Sequence, residues 1–336
     1  MKHIFKSCFA DYMIGIIKAK RQLGYKYEEE EGTLANLDTY IVDNGFNSLS
    51  GLTKELCDSW IHKNKEAKPL TIYGNICVFN SLSLYMNEMG VMSYMCPYPK
   101  YPDCEYVPYI FTHEEIQKIF NCSDEMTFKL FNPKSPFMAM PALIRFAYGT
   151  GSRLGEIISA DEKDVDIDNL LFTVHKEKTK NGKARIIPFD ISLGEVLKQY
   201  LHHKRNVVKM PSEGWECSSL FTNLLGERLK KNVVYHNFIK ILKACGIMSR
   251  GTRQGPNFHC LRHTMACHSF YQMSHCGIDL YASWPYLSVY LGHQSLESTE
   301  KYVRLTSELY PELIHKDDIP FMELIKKGGN DESQFP

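Results

Sequence analysis

The sequence of 336 residues contains no long apolar segment. A helix that crosses a bilayer needs about 20 consecutive, mainly apolar residues, so we expect no membrane-spanning helix. The N-terminal residues, Met1 to Lys6, also lack the apolar stretch and the small-residue cleavage site of a secretory signal. We therefore expect a protein of the cytoplasm that does not bind membranes.

The eleven cysteines include no Cys-x-x-Cys pair, and their number is odd. This pattern argues against a disulfide framework and against a zinc ribbon, and it suits a reducing compartment. One stretch of 18 residues is nevertheless rich in possible metal ligands. Its members are His259, Cys260, His263, Cys267, His268, His275 and Cys276. Their spacings match no familiar zinc-ligand pattern, so we expect no metal.

An excess of positive charge is absent as well, because 39 Lys and Arg residues balance 39 Asp and Glu residues. Nucleic-acid-binding domains are often basic, and this balance excludes a uniformly cationic protein. The cations are unevenly distributed, however. Residues 176–185 hold five of them, 227–231 and 240–253 add more, and acids concentrate in 28–31 and 161–168. Such segments fit either local phosphate-binding faces or ordinary solvated charge.

The length favours two domains, and a proline-rich segment indicates where they meet. Residues 1–95 have helical patterns, and in 71–90 the apolar residues keep helical spacing up to Gly90. Residues 96–108 contain four prolines, which disfavour helix. We expect a helical domain over 1–95, an extended linker over 96–108 and a second domain over 109–336.

The second domain combines helical and strand patterns. Thr112 and Glu115 form a capping box, which predicts a helix that runs to about Phe120. Another helix is expected to end near Gly151. Residues 170–189 alternate in polarity around an Asn-Gly pair, which predicts a β-hairpin. The predicted fold is therefore mainly α with a small antiparallel β-sheet: an N-terminal helical domain followed by a mixed α/β domain.

Four separated segments carry groups that can hold and attack a phosphodiester. They are Thr150-Gly151-Ser152-Arg153-Leu154-Gly155-Glu156, the lysine-rich hairpin 176–185, His259-Cys260-Leu261-Arg262-His263, and Leu291-Gly292-His293 with Tyr302 nine residues further on. Each segment alone is a weak signal, whereas their order and spacing together are specific. The set resembles the tyrosine recombinase (phage integrase) family, with its first arginine, hairpin lysine, His-x-x-Arg box, Gly-His pair and late tyrosine. The resemblance covers roughly residues 110–310.

The chemistry of phosphoryl transfer explains these residue types. Negative charge develops on the non-bridging oxygens of phosphorus, and preorganised cations stabilise it. A planar guanidinium binds two oxygens and stays protonated, so we expect Arg153 and Arg262 to clamp the phosphate. We expect Tyr302 to attack phosphorus, and its phenol, with a pKa of about 10, needs a proton acceptor. The resemblance implies that His259 and His293 lie at the phosphate and serve hydrogen bonding and proton transfer.

The resemblance also implies that a hairpin lysine is the general acid. Lys178, on the incoming strand, is the first choice. Lys180 would lie on the same strand face. Counting back from Pro188 favours Lys180 as the general acid, so both lysines remain candidates. By resemblance, Glu156 orients neighbouring side chains, although a plain surface charge fits as well. We expect His263 to have a structural role.

The function implied by the resemblance is site-specific DNA recombination. Double-stranded DNA would be cleaved and rejoined through a 3′-phosphotyrosyl bond, for a mobile element, without a metal or nucleotide cofactor. The two domains would enclose the duplex, with Lys176, Lys183 and Arg185 as DNA contacts. Four protomers would assemble on two sites in the bacterial cytoplasm, at the nucleoid when DNA is bound, with accessory DNA-bending proteins as candidate partners. The apolar segment 320–325 is a candidate docking element for a neighbouring protomer.

Three other functions fit parts of the sequence. A type IB topoisomerase uses similar residues but acts as a monomer, and the spacing of His293 and Tyr302 favours a recombinase. A non-catalytic architectural DNA-binding protein would need basic surfaces without the complete set of groups. A zinc-dependent regulator is the third. One departure from the family pattern is the 30-residue span from His263 to His293, in which we expect an inserted turn or loop between Gly277 and Tyr286, with Trp284-Pro285.

Overall fold

The computed structural model describes residues 3–63, 65–102, 107–127, 133–179, 182–208, 218–247, 255–293, 295 and 297–310. The chain divides into two compact units, Met1–Tyr106 and Val107–Pro336. The described residues are mainly helical with one small antiparallel sheet, so the predicted fold class is confirmed. Among these residues, no helix combines the length and the apolar character that crossing a bilayer requires.

Four described helices of the first unit enclose one apolar core. They are α1 (Ala10–Gln22), α2 (Glu28–Asp43), α3 (Lys54–Lys63) and α4 (Pro69–Glu88). The helix predicted over 71–90 corresponds to α4, and Gly90 follows its end with a φ of +83°. Phe79, Leu82 and Met86 of α4 are fully buried. Their spacing of three and four residues places them on one helical face, as the sequence pattern predicted.

The buried carboxylate of Asp38 fixes the start of the chain to α2. Asp38 is 1% exposed, and it accepts hydrogen bonds from the backbone amides of Lys6 and Ser7 at 2.8–3.1 Å. Nε2 of His3 lies 2.9 Å from the same carboxylate. Burial alone would raise the pKa of Asp38, but the hydrogen bonds from Ser7, His3 and Lys6 outweigh burial and bring the pKa below its usual value.

The first part of the proline-rich segment packs against α4. Asn80 exchanges two hydrogen bonds of 2.8 Å with the backbone of Cys96. The ring of Tyr101 lies edge-on to that of Tyr73, with 5.1 Å between ring centroids. This half of the segment expected to be a linker is therefore held by the first unit.

Eight helices are described in the second unit. They are α5 (His113–Thr127), α6 (Met140–Thr150), α7 (Leu154–Ser159), α8 (Ile191–Val207), α9 (Lys231–Ala244), α10 (Cys260–His275), α11 (Leu280–Leu291) and α12 (Glu297–Leu309). Helix α10 packs against α6, α11 and α12. One apolar cluster joins its C-terminal half to the last two helices, through Phe270, Leu291, Tyr302, Val303 and Leu305.

The predicted capping box begins α5. The amide of Thr112 donates to the Glu115 carboxylate at 2.9 Å, and the amide of Glu115 donates to the Thr112 hydroxyl at 3.1 Å. The predicted end near Phe120 was wrong, because α5 continues to Thr127. Ile119 and Ser123 are both fully buried, so one side of the helix stays in the core beyond that point. The helix end expected near Gly151 is confirmed, since α6 ends at Thr150.

The sheet contains β1 (Val165–Asp166), β2 (Leu171–Val174) and β3 (Arg185–Pro188), antiparallel and in that order. Leu171 pairs with Pro188 and Val174 with Arg185, which confirms the predicted hairpin. Its strands are shorter than expected, however. Lys178 lies in a single 3₁₀ turn after β2, so its expected position on the incoming strand was wrong. Val174 is the last buried apolar residue of β2, and the charged residues that follow offer no further buried face.

The segment expected to contain an inserted turn or loop begins with a turn at Cys276 and Gly277 and is helical from Leu280. Trp284 and Pro285 both lie inside α11, so the expectation that the turn or loop includes this pair was wrong. Asp279 caps the helix start through its side chain. Leu287 and Leu291, four residues apart, are buried at 2% and 0% exposure. This packing outweighs the one amide donor that proline removes.

Candidate active site

Arg262 lies at the centre of the candidate site, held by two backbone carbonyls. Its guanidinium donates to the carbonyl oxygens of Gly151 and Leu291, at 2.7 Å each. Gly151 follows α6 with a φ of +59°, and Leu291 ends α11, so three helices meet at this side chain. Burial, and then the charge of Arg153, lower the pKa of Arg262 to about 10. Arg262 is therefore still a cation at neutral pH.

A buried carboxylate, Glu156, joins two further arginines. It accepts hydrogen bonds from the backbone amide of Arg153 at 2.9 Å and from the Arg153 guanidinium at 3.2 Å. Arg185 of β3 binds both of its oxygens, at 3.1 and 2.7 Å, and donates to the Tyr290 carbonyl at 3.1 Å. Burial alone would raise the pKa of Glu156, but the hydrogen bond and charge of Arg185, and then Arg153, bring it below its usual value. Glu156 is 2% exposed, so the alternative of a plain surface charge was wrong, and its orienting role stays a prediction.

Tyr302 is buried on α12 with its hydroxyl next to these cations. Only 1% of the residue is exposed, and Oη lies 2.7 Å from Nδ1 of His263. The ring stacks with that of His293 at 6.0 Å between centroids, and Nζ of Lys301 lies 5.1 Å from the ring centroid. Burial raises the pKa of Tyr302 to about 12, although the charge of Arg262 opposes this rise. The phenol is therefore protonated at neutral pH.

His259 and His293 contribute neutral imidazoles to the same cluster. His259 immediately precedes α10, and His293 follows α11, with its Nδ1 2.6 Å from Oγ1 of Thr299. Burial, and then the charges of Arg262 and Arg153, lower the pKa of His259 to about 4 and that of His293 to about 3. Both rings are thus neutral at neutral pH, and each has a nitrogen that can accept a hydrogen bond.

Lys178, the first choice for the general acid, is bound to carboxylates. Its Nζ lies 2.7 Å from Asp161 and 2.7 Å from Asp164, and Asp161 also binds Arg228 at 2.6 Å. Burial alone would lower the pKa of Lys178, but the hydrogen bonds to the two carboxylates raise it overall. This geometry disfavours proton donation to a leaving oxygen. Lys180, the alternative, lies outside the described residues.

Two of the three expected DNA contacts are exposed, and the third is not. Lys176 and Lys183 are solvent-exposed. The Arg185 side chain is 10% exposed and bound to Glu156, so it lies within the site and is less accessible than the two lysines. Arg185 is the first residue of β3, and from there its side chain reaches Glu156. A cavity of about 200 Å³ lies against Lys183, Arg185 and His293.

The assembled groups can bind an anion and attack it. Arg153 and Arg262 supply fixed positive charge, and Tyr302 supplies a hydroxyl within reach of that charge. An anionic phosphodiester would relieve the mutual repulsion of the cations. In the part of the chain that the structure describes, no three His, Cys, Asp or Glu side chains are grouped as metal ligands.

Sequence reasoning missed the contact of His263 with Tyr302. The available signal was the spacing of His259 and His263, which places the two rings on one helical face. Their centroids are 4.7 Å apart in an edge-to-face arrangement. Lys301 was also overlooked, although it adjoins Tyr302 in the sequence. No local signal indicated that Arg185 points inward, because its partners come from other elements.

Comparison with known protein sequences gives one family. Residues 110–308 match the model of the phage integrase family. The putative integrase/recombinase y4rB of Sinorhizobium fredii is 27% identical over 316 residues, which cover 92% of this chain and 97% of that protein. The tyrosine recombinase XerC of Chlorobaculum tepidum is 32% identical over 166 residues, 49% of this chain and 45% of that protein. The chain thus aligns with about half the length of this XerC.

Solved structures share the fold. The XerH site-specific recombinase bound to a palindromic difH substrate gives a TM-score of 0.57 at 21% identity, covering 88% of this chain and 78% of that one. A lambda integrase dimer bound to a COC′ core site gives a TM-score of 0.62 at 17% identity, covering 87% of this chain and 76% of that one.

Proposed function

The chain belongs to the phage integrase family, and we propose that it is a site-specific recombinase that cuts and rejoins double-stranded DNA. The observation that carries this proposal is the position of the Tyr302 hydroxyl. Oη of Tyr302 lies 2.7 Å from Nδ1 of His263 and next to Arg262, in a cluster that also contains Arg153. A protein that only bound DNA would need a basic surface, but it would have no use for a buried hydroxyl among these cations.

In the proposed reaction, Arg153 and Arg262 bind the non-bridging oxygens of the scissile phosphate. Oη of Tyr302 attacks phosphorus, and the bond from phosphorus to the 5′ oxygen breaks. The products are a 3′-phosphotyrosyl bond and a 5′-hydroxyl, so the phenol must lose a proton and the 5′ oxygen must gain one. The phosphotyrosyl bond keeps the phosphodiester energy. Attack by the 5′-hydroxyl of another strand then rejoins the DNA without a nucleotide cofactor.

Of the two hairpin lysines, we propose Lys180 as the general acid. The two ion pairs of Lys178 favour this choice, because moving Lys178 to the phosphate would leave Asp161 and Asp164 without their shared cation. Lys180→Ala should block cleavage of normal DNA. It should cleave DNA in which sulfur replaces the leaving 5′ oxygen, since a thiolate leaves without a proton. Lys178→Ala should mainly lower thermal stability, and a sulfur-rescued defect in this variant would reverse the assignment.

The direct test of the function uses a nicked suicide DNA that carries the cognate site, or the DNA that flanks the gene. Cleavage releases a short fragment, so the covalent intermediate accumulates. We expect a protein–DNA adduct that survives denaturing electrophoresis in the wild type and is absent in Tyr302→Phe. If bound DNA gives no adduct, the protein is an architectural DNA-binding protein. If Tyr302→Phe still gives the adduct, the nucleophile is another tyrosine.

We also propose a mobile-element setting and assembly of four protomers on two DNA sites. The family membership and the match along nearly all of y4rB, a putative integrase/recombinase, support the setting. Amplification across joined element ends in the host, with and without the intact gene, tests it. Light scattering of the protein–DNA complex tests the assembly. The candidate docking segment 320–325 lies outside the described residues, and unchanged assembly after removal of 318–336 would exclude its role.

A further inference from the structure

His263 contacts the reacting atom of the proposed nucleophile. Its Nδ1 lies 2.7 Å from Oη of Tyr302, and the two ring centroids are 5.5 Å apart. Both residues are buried, at 3% and 1% exposure. His263 follows Arg262 directly in α10, and Arg262 is fixed by two backbone carbonyls. The position of the imidazole is therefore set by the same helical turn that places the phosphate clamp.

We assign the Tyr302 hydroxyl as the donor in this hydrogen bond. Burial, then the neighbouring His259, and then the charges of Lys301 and Arg262 lower the pKa of His263 to about 2. The ring is thus neutral at neutral pH, and one of its nitrogens is an acceptor. Because the Arg262 guanidinium already donates to Oη, we assign the phenol as the donor to His263, with Nδ1 as the acceptor and the ring proton on Nε2. With the O–H directed at His263 and one lone pair of Oη accepting from the Arg262 guanidinium, the second lone pair remains to approach phosphorus.

The other two histidines of the site are engaged differently. Nδ1 of His293 lies 2.6 Å from the hydroxyl of Thr299, and its ring stacks with that of Tyr302. The ring of His259 meets the ring of His263 edge-on. The Arg262 guanidinium also hydrogen-bonds the Tyr302 hydroxyl, but a guanidinium can only donate, so it cannot take the phenol proton as His263 can.

We propose that His263 is the proton acceptor for Tyr302 during strand cleavage, an inference that rests on the proposed recombinase function. As the bond from Oη to phosphorus forms and the bond from phosphorus to the 5′ oxygen breaks, the phenol proton moves to Nδ1. The 5′ oxygen takes its proton from the general acid. When the strand is rejoined, the imidazolium returns the proton to the departing Tyr302. Binding of the scissile phosphate adds negative charge beside Arg262 and Lys301, which favours the protonated imidazole in the DNA complex.

Two substitutions separate proton acceptance from mere orientation. In His263→Asn, the side-chain oxygen can take the place of Nδ1 and accept the hydrogen bond, but it cannot take the proton. In His263→Ala, both abilities are lost. Proton acceptance predicts that both variants slow single-turnover adduct formation by about 100-fold or more, the usual contribution of a general base. Orientation alone predicts that His263→Asn stays close to the wild type.

A more acidic phenol provides the decisive comparison. Difluorotyrosine in place of Tyr302 ionises more readily, so the reaction depends less on a base. The defect of His263→Asn should shrink by at least about tenfold with this nucleophile, in line with Brønsted behaviour. His275→Asn, an exposed histidine at the other end of α10, is the matched control and should behave as the wild type with either phenol.

The outcomes are distinct. If the wild type forms no adduct on DNA that it binds, the recombinase function fails and this inference with it. If the wild type forms the adduct and His263→Asn is equally fast, or if its defect is the same with difluorotyrosine, His263 is not the acceptor.

A second experiment needs no His263 variant: it compares the nitrogen NMR spectra of histidine-labelled wild type and Tyr302→Phe. We expect an unprotonated, hydrogen-bonded Nδ1 that changes when the phenol is removed, and a protonated Nδ1 in the wild type would overturn the proposal.

Discussion

Arg262 uses N–H groups on both terminal nitrogens for the carbonyls of Gly151 and Leu291. The remaining edge of its planar group can still bind a phosphate. Lysine keeps the charge but cannot make both carbonyl bonds and bind a phosphate in the same geometry. We therefore expect Arg262→Lys to slow adduct formation by roughly 100-fold or more, with DNA binding nearly unchanged. Gel-shift and single-turnover assays measure the two effects.

Arg304→Lys is the control for that comparison, because Arg304 is exposed on the same helix as the nucleophile. It should cleave as the wild type does. Near-normal cleavage by Arg262→Lys would count against the clamp assigned to this arginine.

Asp38 is expected to stabilise the protein at neutral pH but not in acid. Its pKa in the folded protein lies below the unfolded value of about 4. The ionised carboxylate therefore contributes to the free energy of unfolding above that pH, and this contribution is lost as the pH falls through the folded pKa. Asp38→Asn should lower the free energy of unfolding by roughly 1.5–3 kcal/mol at neutral pH. The difference from the wild type should shrink towards pH 3, and thermal unfolding across this range measures it.

Asp43→Asn, at the exposed end of α2, is the matched control for Asp38. It should leave the melting temperature unchanged at every pH. A deficit of Asp38→Asn that did not diminish in acid would mean that the lost stability is not linked to the carboxylate charge.

Motif order located residues better than it located their partners. Arg262 and Tyr302 were foreseen because the chemistry requires those side chains at a recognisable spacing, and the structure places them together. The partners of Lys178, Arg185 and His263 were not foreseen. Each partner belongs to another element, for instance 29 residues away for Arg185 and 39 for His263. Such contacts depend on packing, which a local pattern does not contain.

At the scale of elements, the turn after α11 packs closely against the Arg185 side chain. Gly292 has a φ of +66°, and a Cβ there would lie 3.0 Å from Cδ and from Nη1 of Arg185. Gly292→Ala should therefore displace the arginine from Glu156 and also incur roughly 1–2 kcal/mol of left-handed backbone strain. We expect slower adduct formation and a lower melting temperature.

Gly277→Ala separates the two effects. Gly277 also has a positive φ, +78°, but nothing lies within 4 Å of an added Cβ. It should show the loss of stability from backbone strain with cleavage intact. Equal cleavage by the two variants would mean that the contact between Gly292 and Arg185 does not position the site.

The elements that could be predicted carry strong local signals. The capping box fixed the start of α5, and alternating polarity located the hairpin of β2 and β3. The two-residue strand β1 was not foreseen, because a strand this short is defined by its partner. Helix α11 was misread because one proline outweighed the apolar spacing around it in the sequence analysis.

For the whole molecule, a zero net charge does not conflict with DNA binding. Several cations are neutralised internally, as Lys178 is by Asp161 and Asp164. Exposed lysines remain available to bind the phosphate backbone.

Lys176→Ala combined with Lys183→Ala should weaken DNA binding and reduce the slope of log K against log salt by about two, roughly one for each lost phosphate contact. Filter binding at several salt concentrations measures the slope.

Lys198→Ala is the control for the salt experiment. Lys198 is exposed on α8 and pairs with Glu195 at 3.0 Å, so its removal should leave the slope unchanged. If the double variant and this control gave the same slope, the hairpin lysines would not contact DNA.

The place of Tyr302 on α12, after every other group of the site, has a consequence for synthesis of the protein. A ribosome completes the phosphate clamp before it reaches the tyrosine. A chain that ends early therefore lacks the hydroxyl that would break a strand, and it also lacks the α12 residues that pack on Phe270 and Leu291. With Tyr302 as the proposed nucleophile, such a fragment could not nick the genome. The proposed mechanism therefore confines strand breakage to chains translated through α12.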